Sequence, residues 1–201
     1  MDEQVLRSLI KWPQVPDCFA WLALDRRGQW RMRDEYAQMH QLPGKVIEHV
    51  GLKEYISRNY AHDDQGRYFF QNGPQRVFVT LDATPWIARM IPSATGMQLM
   101  TQCNTPIKPL SALSDEIGNI YITGLVQQET LSVALLHDHD LDLFSSQAKV
   151  YEDACSFRGS WNWDGQELPI EPIHSAELSE RFHFVKVPNN TLDELPPTLL
   201  L

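Results

Sequence analysis

The sequence predicts an α+β protein, β-rich and built mostly from antiparallel hairpins, with two or three helices. Three observations lead there. Apolar runs of strand length recur along the chain, among them CFAWLAL (18–24), RYFFQ (67–71), QRVFVTL (75–81) and WIARMI (86–91). Glycine-bearing turns join them, such as Asp25-Arg26-Arg27-Gly28 and Asn72-Gly73-Pro74, where glycine and asparagine tolerate positive φ. Strands follow strands instead of alternating with helical segments, which favours antiparallel sheet over a parallel βαβ fold.

Each element follows from local pattern. Residues 2–11 place Val5, Leu6, Leu9 and Ile10 on one helical stripe, with Asp2 as N-cap and Pro13 and Pro16 as stops. Residues 18–33 read as a hairpin. Leu52, Tyr55, Ile56 and Tyr60 recur at 3–4 spacing and predict a helix over about 50–60. A turn at 63–66 leads to a second hairpin over 67–81. Two more strands are expected at 86–91 and 97–103. Pro106 and Pro109 read as a linker, and the expected division lies there, into units of 1–108 and 109–201. Beyond it, 117–125 and 129–136 read as strands, 137–144 as a polar turn, and 181–187 as a strand.

Composition narrows the function. The 201 residues carry 43% apolar side chains and a net charge of −9, enough apolar matter for a core and the wrong sign for general nucleic-acid or anionic-membrane binding. The charge is uneven: residues 1–110 are net +2 and residues 111–201 net −11, which suits docking between the halves or a homodimer that pairs opposite faces. The amphipathic start MDEQVLRSLIKW does not read as a secretory signal, and no apolar run reaches membrane-span length. Cys18, Cys103 and Cys155 form no close pair, so reduced thiols in a cytoplasmic protein are expected. P-loop, dinucleotide-binding, nucleophile-elbow and HExxH patterns do not occur in the sequence.

Residues 50–145 contain a helix followed by Gly66, Tyr68, Phe69, Pro74, Val77, Val79, Asp82 and Thr84-Pro85-Trp86. In this stretch the chain resembles an uncharacterised proteobacterial family of unknown function. The resemblance implies a roll-like α+β unit followed by a smaller β-rich one. It implies no activity and transfers no catalytic residue.

Three groups of residues carry candidate chemistry. His137 and His139, in the run His137-Asp138-His139-Asp140-Leu141-Asp142, sit at a spacing that puts both imidazoles on one face of an extended chain, where they can chelate a divalent metal. Arg26, Arg27, Arg31 and Arg33 surround the first hairpin, and Arg31 and Arg33 share a strand face suited to a phosphate or carboxylate. Trp161 and Trp163 alternate with polar residues and form either core or a stacking platform for a ligand. With no catalytic constellation, the reading favours a non-enzymatic binding or interaction module without a cofactor, recognising a protein or small molecule. The alternative is a metal-dependent enzyme or metal-binding protein using His137 and His139.

Overall fold

The computed structural model describes residues 1–94, 96–126, 130–151 and 158–189. Cys155, one of the three thiols noted above, lies outside them. The architecture is β-rich α+β, in two sheets that share a core.

The first sheet has the order β3-β2-β1-β6-β5-β4. Its strands are β1 (Cys18–Leu24), β2 (Trp30–Met32), β3 (Lys45–Val46), β4 (Tyr60–His62), β5 (Tyr68–Asn72) and β6 (Gln75–Leu81). Both expected hairpins are present, and β1 joins them by pairing in parallel with β6. Helices α1 (Glu3–Lys11) and α3 (Val50–Arg58) stand where the 3–4 spacing placed them. A further short helix, α2 (Glu35–Met39), escaped the periodicity because it is barely one turn long; its signal is Asp34, whose side chain accepts from the Ala37 amide as an N-cap. Asp2 precedes α1 without capping it, and its carboxylate is taken by Arg58 and Asn59 instead.

The second sheet contains a closed ring. Strands β7 (Trp86–Ser93), β8 (Gly96–Thr101), β9 (Pro106–Ser114), β10 (Ile120–Val126) and β11 (Thr130–Leu136) pair in sequence, and β11 returns to β7 in parallel. A wing of three strands, β14 (Gln166–Pro172), β13 (Arg158–Trp163) and β12 (Ala148–Tyr151), extends from β9. The chain changes sheet between Leu81 and Trp86, and the expected division at 108/109 falls inside β9. Pro109 is tolerated there because it sits at a bulge: Thr123 pairs with Ser111 and Gly124 with Pro109, so Leu110 is the extra residue. Gly124 allows the approach, since a Cβ on it would lie 2.4 Å from the Lys108 carbonyl oxygen.

Two other expectations are corrected. Residues 137–144 are not a plain turn: a 3₁₀ turn over Asp138–Asp140 runs into α4 (Leu141–Gln147). Residues 181–187 do not form a strand. After a second 3₁₀ turn, Ser175–Glu177, the short helix α5 (Leu178–Arg181) ends, His183 takes φ +49°, and only isolated backbone bonds follow, from Val185 to Gly66 and from Leu81 to Lys186. The alternating aromatics of this segment instead bury Phe184 in the shared core.

One turn design recurs. Asp25, Asp63 and Asp115 each accept the amides two and four residues ahead on one carboxylate oxygen, and the glycine three residues on has positive φ. At the β8–β9 turn the Thr101 hydroxyl plays the aspartate's part and Asn104 the glycine's. These side chains satisfy amides that the tight turns would otherwise leave unpaired.

The β9–β10 turn also holds the C-terminal segment. Glu116 accepts the Ser175 hydroxyl at 2.5 Å and the Ser175 amide at 2.9 Å, and these bonds pull its carboxyl down to about 2. A carboxyl lowered on folding contributes stability above its ordinary value, near 4.5, and loses that contribution as pH falls towards 2. The melting-temperature gap between wild type and Glu116→Ala is therefore expected to be constant above about pH 5 and to shrink steadily below it; thermal melts at stepped pH check this, and a gap that does not move with pH contradicts it.

Candidate functional site

The two sheets meet around the connector 82–85. The Tyr60 hydroxyl and the Gln102 amide both donate to the Pro85 carbonyl, and the Thr84 hydroxyl donates to the Trp86 carbonyl while accepting the Leu135 amide. Beside this seam lie the histidines singled out in the sequence. His137 is buried and caps the 3₁₀ turn; its Nδ1 is 3.1 Å from the His139 amide nitrogen and 2.7 Å from Asp138 Oδ1. The rings of His137 and His139 are 4.7 Å apart, and ligand atoms of His137, Asp138 and His139 lie within 4.8 Å of one another. The backbone here is a 3₁₀ turn and not the extended chain the spacing assumed, yet the imidazoles are brought together.

Charged neighbours occupy this group. Arg27 Nη2 donates to Asp138 Oδ2 at 2.6 Å, from the first sheet to the second. Asp140, buried, accepts Arg89 Nε at 2.7 Å and the Met90 amide at 3.0 Å. Burial, followed by the positive charge of Arg89, lowers the His137 pKa despite the opposing pull of Asp138. A divalent ion at this cluster has to displace Arg27 from Asp138 and share the Nδ1 that caps the turn. These long-range partners carry no signal in the sequence near residue 137.

The arginines divide in two. Arg31 donates to Asp25 at 2.7 Å and to the Gly44 carbonyl at 3.1 Å, and Arg33 donates to the Leu42 carbonyl. Both serve the loop between β2 and β3. Arg26 and Arg27 instead cross the seam, to Asn119 and Asp138, around a cavity of about 200 Å³. Burial raises the thiols of Cys18 and Cys103, the latter to about 12, which leaves them protonated at neutral pH.

The two tryptophans of the wing behave differently from each other. Trp161 is fully buried, packs on Phe144 and donates its indole N–H to Gln147 Oε1. Trp163 packs on Trp161 with ring centroids 5.0 Å apart and remains partly exposed. It lines a groove of about 500 Å³ between the end of α4 and the β13–β14 turn, together with Ser146, Gln147, Lys149, Asn162 and Asp164. The hairpin that builds this groove has a two-residue turn, Asp164-Gly165, with φ of +50° and +81°. Asp-Gly between two alternating runs was the local signal for it. Gln147 and Ser146 had none, because α4 meets β13 only in the folded chain.

Residues 1–189 match the DUF2944 family, described as a protein of unknown function (DUF2946). No curated protein matches the chain. Among solved structures, the chain is similar to a DUF1285 family protein from Silicibacter pomeroyi DSS-3, at 13% sequence identity and a TM-score of 0.48, with 82% of this chain and 87% of that chain covered. The family match takes in the 50–145 stretch that carried the resemblance and extends it on both sides; the chain belongs to this uncharacterised family of unknown function.

Proposed function

We propose that the protein is a non-enzymatic binding module that receives a small ligand in the groove beside Trp163. The carrying observation is the pairing of a fully buried indole with a partly exposed one. Trp161 fixes the position of Trp163, so the exposed ring loses little freedom when a ligand stacks on it. The groove volume, about 500 Å³, falls in the ~300–1,000 Å³ range of small-ligand sites. Its walls mix apolar side chains, Trp163 and Met97, with several polar ones, the usual division between contact area and orientation.

The two indoles predict opposite phenotypes. Trp161→Ala opens a void in the core and is expected to cost about 3–5 kcal/mol of stability. Trp163→Ala is expected to leave the melting temperature within a few degrees of wild type and to remove the hits of a thermal-shift screen against a small-molecule library. Hits that persist unchanged in Trp163→Ala contradict the groove as the binding site.

A second reading is favoured by the proximity of His137, Asp138 and His139 ligand atoms, within 4.8 Å: a divalent-metal site. One equivalent of Zn²⁺ then raises the melting temperature of wild type and not of His139→Ala, whose imidazole is exposed and dispensable for packing. An equal response of the two proteins ends that reading.

A further inference from the structure

We infer that the occupant of the Trp163 groove is a neutral sugar ring, an inference that rests on the groove being the binding site. The chemistry lining the groove selects this class over the others. A pyranose presents a flat array of polarised C–H bonds on one side and hydroxyls around its edge. The electron-rich face of an indole suits the first. The edge needs donors and acceptors in mixed supply, and the groove has both.

The donors are two carboxamides whose carbonyl ends are already engaged. Gln147 Oε1 accepts from Trp161 Nε1 at 3.3 Å, and Asn162 Oδ1 accepts from the Gly165 amide at 3.0 Å. Each bond fixes which end of the amide is the nitrogen and leaves the NH₂ group without an intramolecular partner among the described residues. The acceptors are the Asp164 carboxylate, which has no hydrogen bond or ion pair among the described residues, and the lone pairs of Ser146, whose hydroxyl proton goes to the Leu143 carbonyl. A carboxylate takes two hydroxyls of a sugar edge in charge-assisted hydrogen bonds.

Charge removes the alternatives. Asp164 repels an anion, and the positive charge that offsets it, Lys149, is itself paired with Glu167 at 3.4 Å. A cation brings no acceptor for the NH₂ groups of Gln147 and Asn162. A wholly apolar ligand makes no use of the two NH₂ groups and the carboxylate that line the groove. A neutral polyol with one apolar face serves the indole, the two NH₂ groups and the carboxylate together.

Binding is read by isothermal titration of the full chain with methyl glycosides of glucose, galactose, mannose and N-acetylglucosamine, up to about 100 mM, since single-ring sites are expected to be weak, in the millimolar range. At least one glycoside is expected to bind saturably. Its affinity is expected to fall about tenfold or more in Trp163→Ala, with the loss of the stacked ring. Asp164→Asn keeps a residue that tolerates positive φ and is expected to weaken the same glycoside severalfold while the protein stays folded. If no glycoside binds, yet the library hits of the thermal-shift screen vanish in Trp163→Ala, the sugar assignment is overturned and the groove remains the site. If a glycoside binds wild type and Trp163→Ala equally, both are overturned.

Discussion

Strand β9 is paired on both edges, and most of the molecule hangs from that fact. Along one edge it meets β10 from Ile107 to Ser114. Along the other it meets β8 at Pro106 and Ile107, then β14 from Ala112 to Ser114. The first pairing closes the five-stranded ring, because β8 and β10 are both carried round to β7 and β11. The second starts the wing. The change of partner happens across residues 108–111, where Pro109 has no amide to leave unpaired and the bulge at Leu110 re-aims the strand. Ala112 and Leu113, at the junction, have no exposed surface, so ring and wing share one continuous core with the first sheet. The groove beside Trp163 is therefore an outgrowth of the barrel wall and not an appendage: β9 positions β14, β14 positions β13, and β13 carries both indoles.

Two polar regions flank this framework, and they differ in what is left over. Around the seam the arginines have partners: Arg27 with Asp138 and Arg26 with Asn119 across it, Arg89 with Asp140 within the second sheet, and Arg31 with Asp25 within the first hairpin. The Arg27 bridge spans the two sheets and is screened by solvent, whereas the partly buried Arg89–Asp140 bridge ties the turn after β11 to β7 within the second sheet. In the groove, Gln147 and Asn162 are held by their carbonyl ends, and their NH₂ groups and the Asp164 carboxylate have no partner among the described residues.

The hairpins over 18–33 and 67–81 were legible in the sequence because their determinants are local: an aspartate or asparagine, a glycine, and apolar alternation on either side; the hairpin over 158–172 was not read, although its Asp164-Gly165 turn is of the same kind. What else failed was non-local. Pro106 and Pro109 read as a linker because a proline's place at a bulge depends on Gly124 across the ladder. The alternation of 181–187 read as a strand, although its burial answers to Gly66, whose Cβ, were there one, would lie 2.2 Å from the His183 carbonyl oxygen. For the site, Trp161 and Trp163 were visible as a pair, while their division into anchor and platform was not. It depends on α4, which the polar run from His137 concealed. His137 and His139 lie side by side on a 3₁₀ turn where the sequence suggested an extended chain, and the arginines that hold the neighbouring Asp138 and Asp140, Arg27 and Arg89, stand 111 and 51 residues away, where no local pattern points.

The central claim is that ligand recognition belongs to one indole out of six. A ¹⁵N spectrum resolves each tryptophan side chain and the carboxamides as separate signals, and a titration with the tightest-binding methyl glycoside reads them together. The account predicts shifts at the indole of Trp163 and the amides of Gln147 and Asn162, with Trp12, Trp21, Trp30 and Trp86 unmoved. Shifts confined to Trp30 or to the Arg26–Arg27 side of the seam, with Trp163 unmoved, contradict it.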